Sequence, residues 1–180
     1  MKVNRPYNFL EKSVGKFVGR YLTPNQLSII AFILYCLGGL FYIKNMFIYG
    51  VVVLIFSGIF DALDGLVARA SKKSSIHGVL FDIYFDNLAD VIFFLTLGYG
   101  GLVKPSLVVL VLSGSLFHLL TRLFGKIEKR EKMFNLNIGV KRLLIIIFTP
   151  IDLNIAMILI AFSYWLLFII NSINWFKGSS

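Results

Sequence analysis

Long apolar stretches separated by short polar ones dominate this chain of 180 residues. Several runs approach the length of about 20 residues that an α-helix needs to cross the hydrocarbon core of a bilayer. The fifth run has the shortest apolar core. The pattern predicts six membrane-spanning helices: Gln26–Ile43, Met46–Ala68, His77–Gly100, Pro105–Phe124, Val140–Pro150 extended backward to about Phe134, and Leu153–Trp175.

The residues before the first span follow an amphipathic pattern. Between Asn4 and Arg20 the apolar residues recur at helical spacing, with cations such as Lys12 and Lys16 elsewhere on the helix. This predicts a helix that lies flat at the inner membrane surface, with its cations facing anionic lipid heads. Thr23 can cap the first span and Pro24 fits its first turn.

Composition supports a membrane protein. Hydrophobic residues make up 58% of the chain and the mean hydropathy is +0.83, which is more apolar surface than a soluble domain of this length can bury. We expect an all-α polytopic membrane protein with six transmembrane helices and an N-terminal interfacial helix. We expect one domain over residues 1–177, with the interfacial helix at 4–20 and the six-helix bundle at 26–175. Residues 178–180 have the composition of a linker or tag remnant.

The basic residues are distributed as a topology signal. With the N-terminus in the cytoplasm, 16 of the 18 Lys and Arg residues fall on the inner side, and only Lys44 and Lys104 fall outside. This asymmetry obeys the positive-inside rule and predicts that both termini face the cytoplasm. The net charge of +9 does not indicate nucleic-acid binding, which would need a soluble basic face with readout groups.

Acidic residues are concentrated where a membrane protein normally avoids them. Asp61 and Asp64 are three residues apart in the second span, and Asp82 and Asp86 are four apart in the third, so each pair shares a helix face. Each carboxylate near a membrane centre costs roughly 2.5–3.5 kcal/mol. Arg69 supplies at most one compensating cation. Oxygen ligands alone favour a hard divalent ion such as Mg²⁺ or Mn²⁺.

Small residues accompany these acids. Gly65 and Ala68 share the stripe of Asp61 and Asp64, and Gly78 lies one turn before Asp82. Such residues allow a flat or phosphorylated group to approach the backbone closely, and the fork of Arg69 suits a phosphate oxygen.

Two other interpretations of the acids remain open. They could line an ion path, as in a divalent-metal transporter, or they could form structural pairs. Asp90, one turn deeper than Asp86, fits a path slightly better, although we expect it to support a site.

The spacing resembles a known signature. The pattern Asp61-x2-Asp64-Gly65-x2-Ala68-Arg69-x8-Gly78-x3-Asp82-x3-Asp86 is similar to that of the CDP-alcohol phosphotransferase family at every fixed position. The Thr-Pro-Asn entry to the first span and the six spans extend the resemblance along the whole chain. It implies a membrane enzyme that joins a CDP-activated alcohol to a second alcohol and releases CMP.

The resemblance also implies roles for individual residues. Asp61, Asp64, Asp82 and Asp86 would hold two divalent metal ions, Mg²⁺ or Mn²⁺, and Asp86 would also act as the base. Relatives are commonly homodimers. The residues implied in CDP binding are Pro24, Asn25, Gln26, Leu27, Gly65, Ala68, Arg69, Ser75 and Gly78.

The acceptor is indicated by the basic region between Arg122 and Arg142. Part of this charge serves topology and lipid-head contact, but a phosphorylated acceptor would also need cations. We prefer inositol phosphate over glycerol phosphate, and both over serine- or choline-type acceptors, as in phosphatidylinositol-phosphate-synthase-like or archaeal inositol-phospholipid members. Candidate acceptor-binding residues are Arg122, Lys126, Arg130, Lys141 and Arg142.

The donor is less constrained. We expect a CDP-linked lipid, whose tails remain among the membrane lipids, while a small soluble CDP-alcohol such as CDP-inositol is the alternative.

Two further polar residues have expected structural roles. His118 is expected to hydrogen-bond a neighbouring helix rather than react, and Cys36 to serve packing.

Overall fold

The computed structural model describes residues 11–70, 76–127 and 138–177, and all regular structure within them is helical. A π-helical turn, Glu11–Gly15, continues into a short α-helix, Lys16–Val18. The longer helices are α1 (Pro24–Ile43), α2 (Phe47–Ala70), α3 (Ile76–Tyr99), α4 (Pro105–Ile127), α5 (Ile138–Phe148) and α6 (Leu153–Lys177). They occupy the six predicted spans, with bounds shifted by a few residues.

Reciprocal hydrogen bonds fix the start of α1. The Thr23 Oγ1 accepts a hydrogen bond from the Gln26 backbone N–H at 3.3 Å, and the Thr23 N–H donates to the Gln26 Oε1 at 2.9 Å. This capping box satisfies two backbone donors, one of them an N–H that the helix itself leaves unpaired. The predicted cap at Thr23 is therefore confirmed.

The N-terminal helical segment, Glu11–Val18, packs closely on the end of α2. A Cβ atom added at Gly15 would lie 2.8 Å from the Leu66 carbonyl oxygen and 2.9 Å from the Ala70 Cβ. Only glycine permits this approach, because a side chain would overlap the backbone of α2. Residues 4–10 of the predicted interfacial helix lie outside the described residues, and its placement at the membrane surface stays a prediction.

The chain divides into two compact units. The first comprises the chain up to Phe41 together with Ile48–Phe93. Its core includes Leu27, Tyr35, Leu54 and Phe93, each fully buried, and the Tyr35 and Phe93 rings stack with centroids 4.6 Å apart. The Ser57 Oγ donates a 2.7 Å hydrogen bond to the Ala31 carbonyl, which joins α2 to α1.

The second unit comprises Tyr42–Phe47 and the chain from Phe94 onward. Here α6 packs against both α4 and α5. A Cβ atom at Gly114 would lie 2.9 Å from the Trp165 Nε1 and 3.2 Å from the Tyr164 Cβ, so glycine allows α4 to approach α6. The Trp165 Nε1 donates to the Leu110 carbonyl at 3.2 Å. These contacts fix Tyr164 against α4.

Short turns connect the helices on the predicted outer side. Asn45 and Gly101 have positive φ angles of 56° and 70°, a conformation that Asn and Gly tolerate best.

The Asn154 backbone N–H and its side-chain amide both donate to Asp152, and these bonds hold the pKa of that carboxyl below its ordinary value. The cap at α6 is therefore fully formed at neutral pH and weakens in acid as Asp152 becomes protonated.

Of the helices that the structure describes, α1, α2 and α6 are long and apolar enough to cross a membrane. Helix α4 contains a shorter apolar stretch, Pro105–Thr121. Large apolar side chains such as Ile48, Val109 and Phe162 are exposed, as is typical of lipid-facing surfaces. The chain is an integral membrane protein; six spans and the sidedness of the termini stay predictions.

Candidate active site

The acidic stripe predicted on the second span lies on α2. Asp64 is buried, with 7% of its surface exposed, and Asp61 is half-buried one turn earlier. On α3, Asp86 is half-buried and Asp90 is fully buried. All four residues belong to the first compact unit. Carboxylates in such positions need nearby positive charge or hydrogen-bond donors, because burial penalises their ionised form.

Ser28 contacts the buried carboxylate of Asp64. Its Oγ donates a 2.8 Å hydrogen bond to the Asp64 Oδ2, from α1 to α2. Sequence reasoning did not identify Ser28, because the two residues are 36 positions apart and only the packing of two helices joins them. Its position directly after the Pro24–Leu27 segment, which is implied in CDP binding, was the one feature of the sequence that could have indicated a role for Ser28.

Arg69 lies over Gly65. A Cβ atom at Gly65 would be 3.2 Å from the Arg69 Nη1 and 3.7 Å from its Nη2. The missing side chain therefore makes room for the guanidinium one turn along α2. Arg69 remains exposed, and the fork of a guanidinium suits the oxygens of a phosphate.

Asp90 receives a hydrogen bond from α1. The Tyr35 Oη donates to the Asp90 Oδ1 at 3.4 Å, and both side chains are buried. The contact joins α1 to α3 below Asp86. A buried carboxylate that accepts a hydrogen bond from the neighbouring helix contributes to the packing of α1 on α3, and its role beside the other acids stays a prediction.

The segment implied in CDP binding is only partly exposed. Asn25 and Gln26 are exposed, whereas the Leu27 side chain is fully buried in the core, so Leu27 can offer a ligand only its backbone. The Gln26 side chain is engaged in the cap of α1. Ser75 lies outside the described residues, and Gly78 lies within α3.

The carboxylate chemistry fits a hard divalent cation. Among the side chains that the structure describes, no group of three or more His, Cys, Asp or Glu residues is arranged to hold a metal ion. The predicted set includes Asp82, whose backbone lies in α3 but whose side chain lies outside the described part. A set of carboxylate oxygens is what Mg²⁺ and Mn²⁺ prefer. The four-carboxylate centre stays a prediction.

The two described cations of the basic region are buried. Lys141 and Arg142 on α5 each have 4% of their surface exposed. The Lys141 Nζ donates a 2.8 Å hydrogen bond to the Tyr164 Oη of α6. These cations are therefore built into the second unit, beyond a role in marking topology. Arg130 and the side chains of Arg122 and Lys126 lie outside the described residues.

Tyr164 belongs to a buried polar cluster that also includes His118 and Asn171. The His118 ring lies 5.8 Å from the Tyr164 ring, and the Asn171 Nδ2 is 3.5 Å from the His118 Nδ1. The expected bond between His118 and a neighbouring helix is confirmed.

An apolar cavity of about 430 Å³ lies between α4 and α6. Its lining is formed by Thr121, Phe124, Phe168, Ser172 and Trp175, and it exposes almost no polar surface. The lining suits hydrocarbon rather than a charged headgroup.

Comparison with known proteins identifies relatives of the same fold and family. A family model described as CDP-alcohol phosphatidyltransferase matches residues 21–177. Archaetidylinositol phosphate synthase from Pyrococcus horikoshii is 35% identical over 115 residues, which are 63% of this chain and 59% of that relative. The chain therefore spans less than two thirds of the length of this curated relative.

Two crystal structures of Mycobacterium tuberculosis phosphatidylinositol phosphate synthase share the fold. The form with CDP-DAG bound has a TM-score of 0.65 and 17% identity, and the match covers 92% of this chain and 89% of that one. The complex with manganese and citrate has a TM-score of 0.62 and 18% identity, covering 90% and 83%. Since the family model spans most of the chain, the protein belongs to the CDP-alcohol phosphatidyltransferase family.

Proposed function

We propose that this protein transfers a phosphatidyl-type group from a CDP-linked lipid to a hydroxyl of inositol phosphate, releasing CMP in phospholipid biosynthesis. The observation that carries the proposal is the complete acidic signature from Asp61 to Asp86, on α2 and α3 of a chain that belongs to the family. The reaction takes place at the cytoplasmic side of the membrane, where the positive-inside rule puts the acidic ends of α2 and α3.

Three observations support these substrates over the alternatives. The P. horikoshii relative is named for an inositol phosphate acceptor. The fold neighbour from M. tuberculosis was solved with CDP-DAG, a lipid donor. Lys141 and Arg142 are buried cations, which suit a phosphorylated acceptor better than serine or choline. Glycerol phosphate is the second choice.

The four signature carboxylates would hold two divalent ions, Mg²⁺ or Mn²⁺. When bound, the ions neutralise the diphosphate charge and stabilise the departing CMP. Manganese is present in one structure of the fold neighbour. Asp64, buried and hydrogen-bonded, has the fixed orientation that a ligand needs.

The protein's own groups divide the remaining work. Asp86 takes the proton from the acceptor hydroxyl, whose oxygen attacks the phosphorus attached to the lipid alcohol. A new acceptor oxygen–phosphorus bond forms as the bond to the CMP oxygen breaks in line. Arg69, over Gly65, contacts the CDP phosphates, and Lys141 with Arg142 holds the acceptor phosphate.

The test is CMP release by the purified protein in detergent. We expect CMP release with CDP-lipid and inositol phosphate, and we expect this release to be lost when divalent ions are chelated.

Asp86→Asn should bind the CDP donor but lose transfer. Lys141→Met should raise the KM for inositol phosphate and leave the donor KM unchanged. Because Arg142 is buried, Arg142→Gln is the suitable companion variant rather than charge reversal.

A panel of donors and acceptors separates the alternatives. Release with soluble CDP-inositol but not CDP-lipid would reassign the donor. Release with glycerol phosphate alone would reassign the acceptor. If the protein carries metal ions into liposomes but releases no CMP with any pair of donor and acceptor, the proposed enzyme activity would be wrong and a transporter function would be favoured. Light scattering of the purified protein tests the expected homodimer.

A further inference from the structure

The hydroxyl of Ser28 connects two parts of the proposed site. Ser28 and Asp64 each have 7% of their surface exposed, and 2.8 Å separates the Ser28 Oγ from the Asp64 Oδ2. The same Oγ lies 3.1 Å from the carbonyl oxygen of Pro24, one turn earlier in α1. Pro24 begins the segment implied in CDP binding.

The described contacts of the hydroxyl include two acceptors for its one proton, the Asp64 carboxylate and the Pro24 carbonyl. The Asp64 carboxylate is the nearer acceptor and carries charge when ionised, and charge-assisted hydrogen bonds are the stronger ones. The Pro24 carbonyl is the usual partner of a serine within a helix, and this contact favours a single side-chain rotamer. The proton therefore goes to Asp64, while the turn of α1 fixes the direction from which it is donated.

A hydrogen bond to one carboxylate oxygen sets the plane of the whole group. Such a bond engages one of the roughly four lone-pair sites of a carboxylate, which can still bind a cation through another. Outer groups that orient a metal ligand in this way typically change metal affinity by 10–100-fold when they are removed.

We propose that Ser28 is a positioning residue that holds the Asp64 carboxylate in its metal-binding orientation and ties that orientation to the start of α1. The inference rests on the proposed function, which makes Asp64 a metal ligand. It adds a residue of the first span to a centre whose ligands all lie on the second and third.

The competing explanation is that Ser28 merely joins α1 to α2. Ser57 provides a matched control, because its buried hydroxyl joins the same two helices. The Ser57 Oγ donates to the Ala31 backbone carbonyl at 2.7 Å, and no carboxylate takes part in that bond. Ser57→Ala therefore removes an equivalent interhelical hydrogen bond without touching an acid.

The experiment is a titration with Mn²⁺ alone, with free Mn²⁺ measured by electron paramagnetic resonance of the purified protein in detergent. We expect Ser28→Ala to weaken Mn²⁺ binding 10–100-fold, and Ser57→Ala to leave it unchanged. Melting temperatures measured with chelator should fall by similar amounts in both variants. Ser28→Thr, which keeps the hydroxyl, should restore the affinity.

Each outcome decides between the proposals. If Ser28→Ala binds Mn²⁺ like the wild type while Asp64→Asn does not, the positioning role is refuted and the metal assignment stands. If Asp64→Asn also binds like the wild type, the metal centre of the proposed function fails. If Ser28→Ala does not fold, Ser28→Cys keeps the size with a much weaker donor, and wild-type affinity in that variant overturns the inference.

Discussion

At the scale of single residues, Gly65 shows how an absent side chain determines the place of another. The Arg69 guanidinium occupies the space over Gly65, with its Nη1 3.2 Å from where a Cβ would be. The contact is with the far end of a flexible side chain, so a methyl group there can be accommodated by moving the guanidinium.

We expect Gly65→Ala to separate stability from substrate binding. Alanine favours a helix interior by about 1 kcal/mol over glycine, so the melting temperature should not fall. Displacement of Arg69 should weaken a charge-assisted contact worth roughly 1.5–3 kcal/mol, and loss of about half of that energy should raise the KM for the CDP donor by roughly 4–12-fold. Steady-state kinetics with both substrates measures this.

Whether the effect of Gly65→Ala on the donor KM depends on Arg69 can be tested with a double variant. In an Arg69→Ala background, Gly65→Ala should have no further effect on the donor KM, because the displaced group is already gone. An equal rise in both backgrounds would mean that the methyl group itself blocks the donor.

At this scale the sequence predicted which acidic residues share a helix face, but it did not predict which side chains from other helices contact them. The spacings of Asp61, Asp64, Asp82 and Asp86 define helix faces, and the face of a helix follows from local geometry alone. The bond from Ser28 to Asp64 and the burial of Lys141 depend on which helices pack together, and one sequence does not encode that in any local pattern.

At the scale of elements, the N-terminal helical segment depends on Gly15. Its contact with the Leu66 carbonyl and Ala70 brings the segment against the end of α2 that carries Arg69. Unlike the contact at Gly65, the nearest atom here is backbone, which cannot move independently of its helix.

We expect Gly15→Ala to push the segment away from α2. Overpacking of this kind costs typically 1–3 kcal/mol, so the melting temperature in detergent should fall. Ser13→Ala, on an exposed position of the same segment, is the control and should leave the melting temperature unchanged. A Gly15→Ala protein as stable as the control would show that the segment has room to shift without loss.

Element bounds were predictable where the apolar run was continuous. The start of α1 followed from a capping residue and a proline, and the structure begins that helix at Pro24. Helix α5 spans only Ile138–Phe148, and the backward extension to Phe134 lies outside the described residues. Lys141 and Arg142 interrupt its apolar sequence after the first three residues, so hydropathy alone predicted this helix only weakly.

At the scale of the whole molecule, charge distribution determines orientation. The inner segments carry nearly all of the Lys and Arg residues, whereas the outer turns are short and barely charged. The positive-inside rule therefore predicts Ser13 in the cytoplasm and Pro150 outside.

We expect an impermeant maleimide to report this orientation. In a Cys36→Ala background, intact cells should be labelled at Pro150→Cys but not at Ser13→Cys, since both positions are exposed and differ only in side. Permeabilised cells should be labelled at both. Labelling of Ser13→Cys in intact cells would invert the topology and move the proposed reaction to the outer surface.

The burial of Lys141 makes its reactivity toward acylating reagents a measure of whether the protein is folded. Its ammonium is only 4% exposed and donates to Tyr164, whereas Lys16, Lys44 and Lys104 are exposed. An amine-acylating reagent should therefore react with those three lysines faster than with Lys141 as long as α5 and α6 stay packed. A rise in the rate of Lys141 acylation, read from peptide maps, would report that a detergent has loosened this packing.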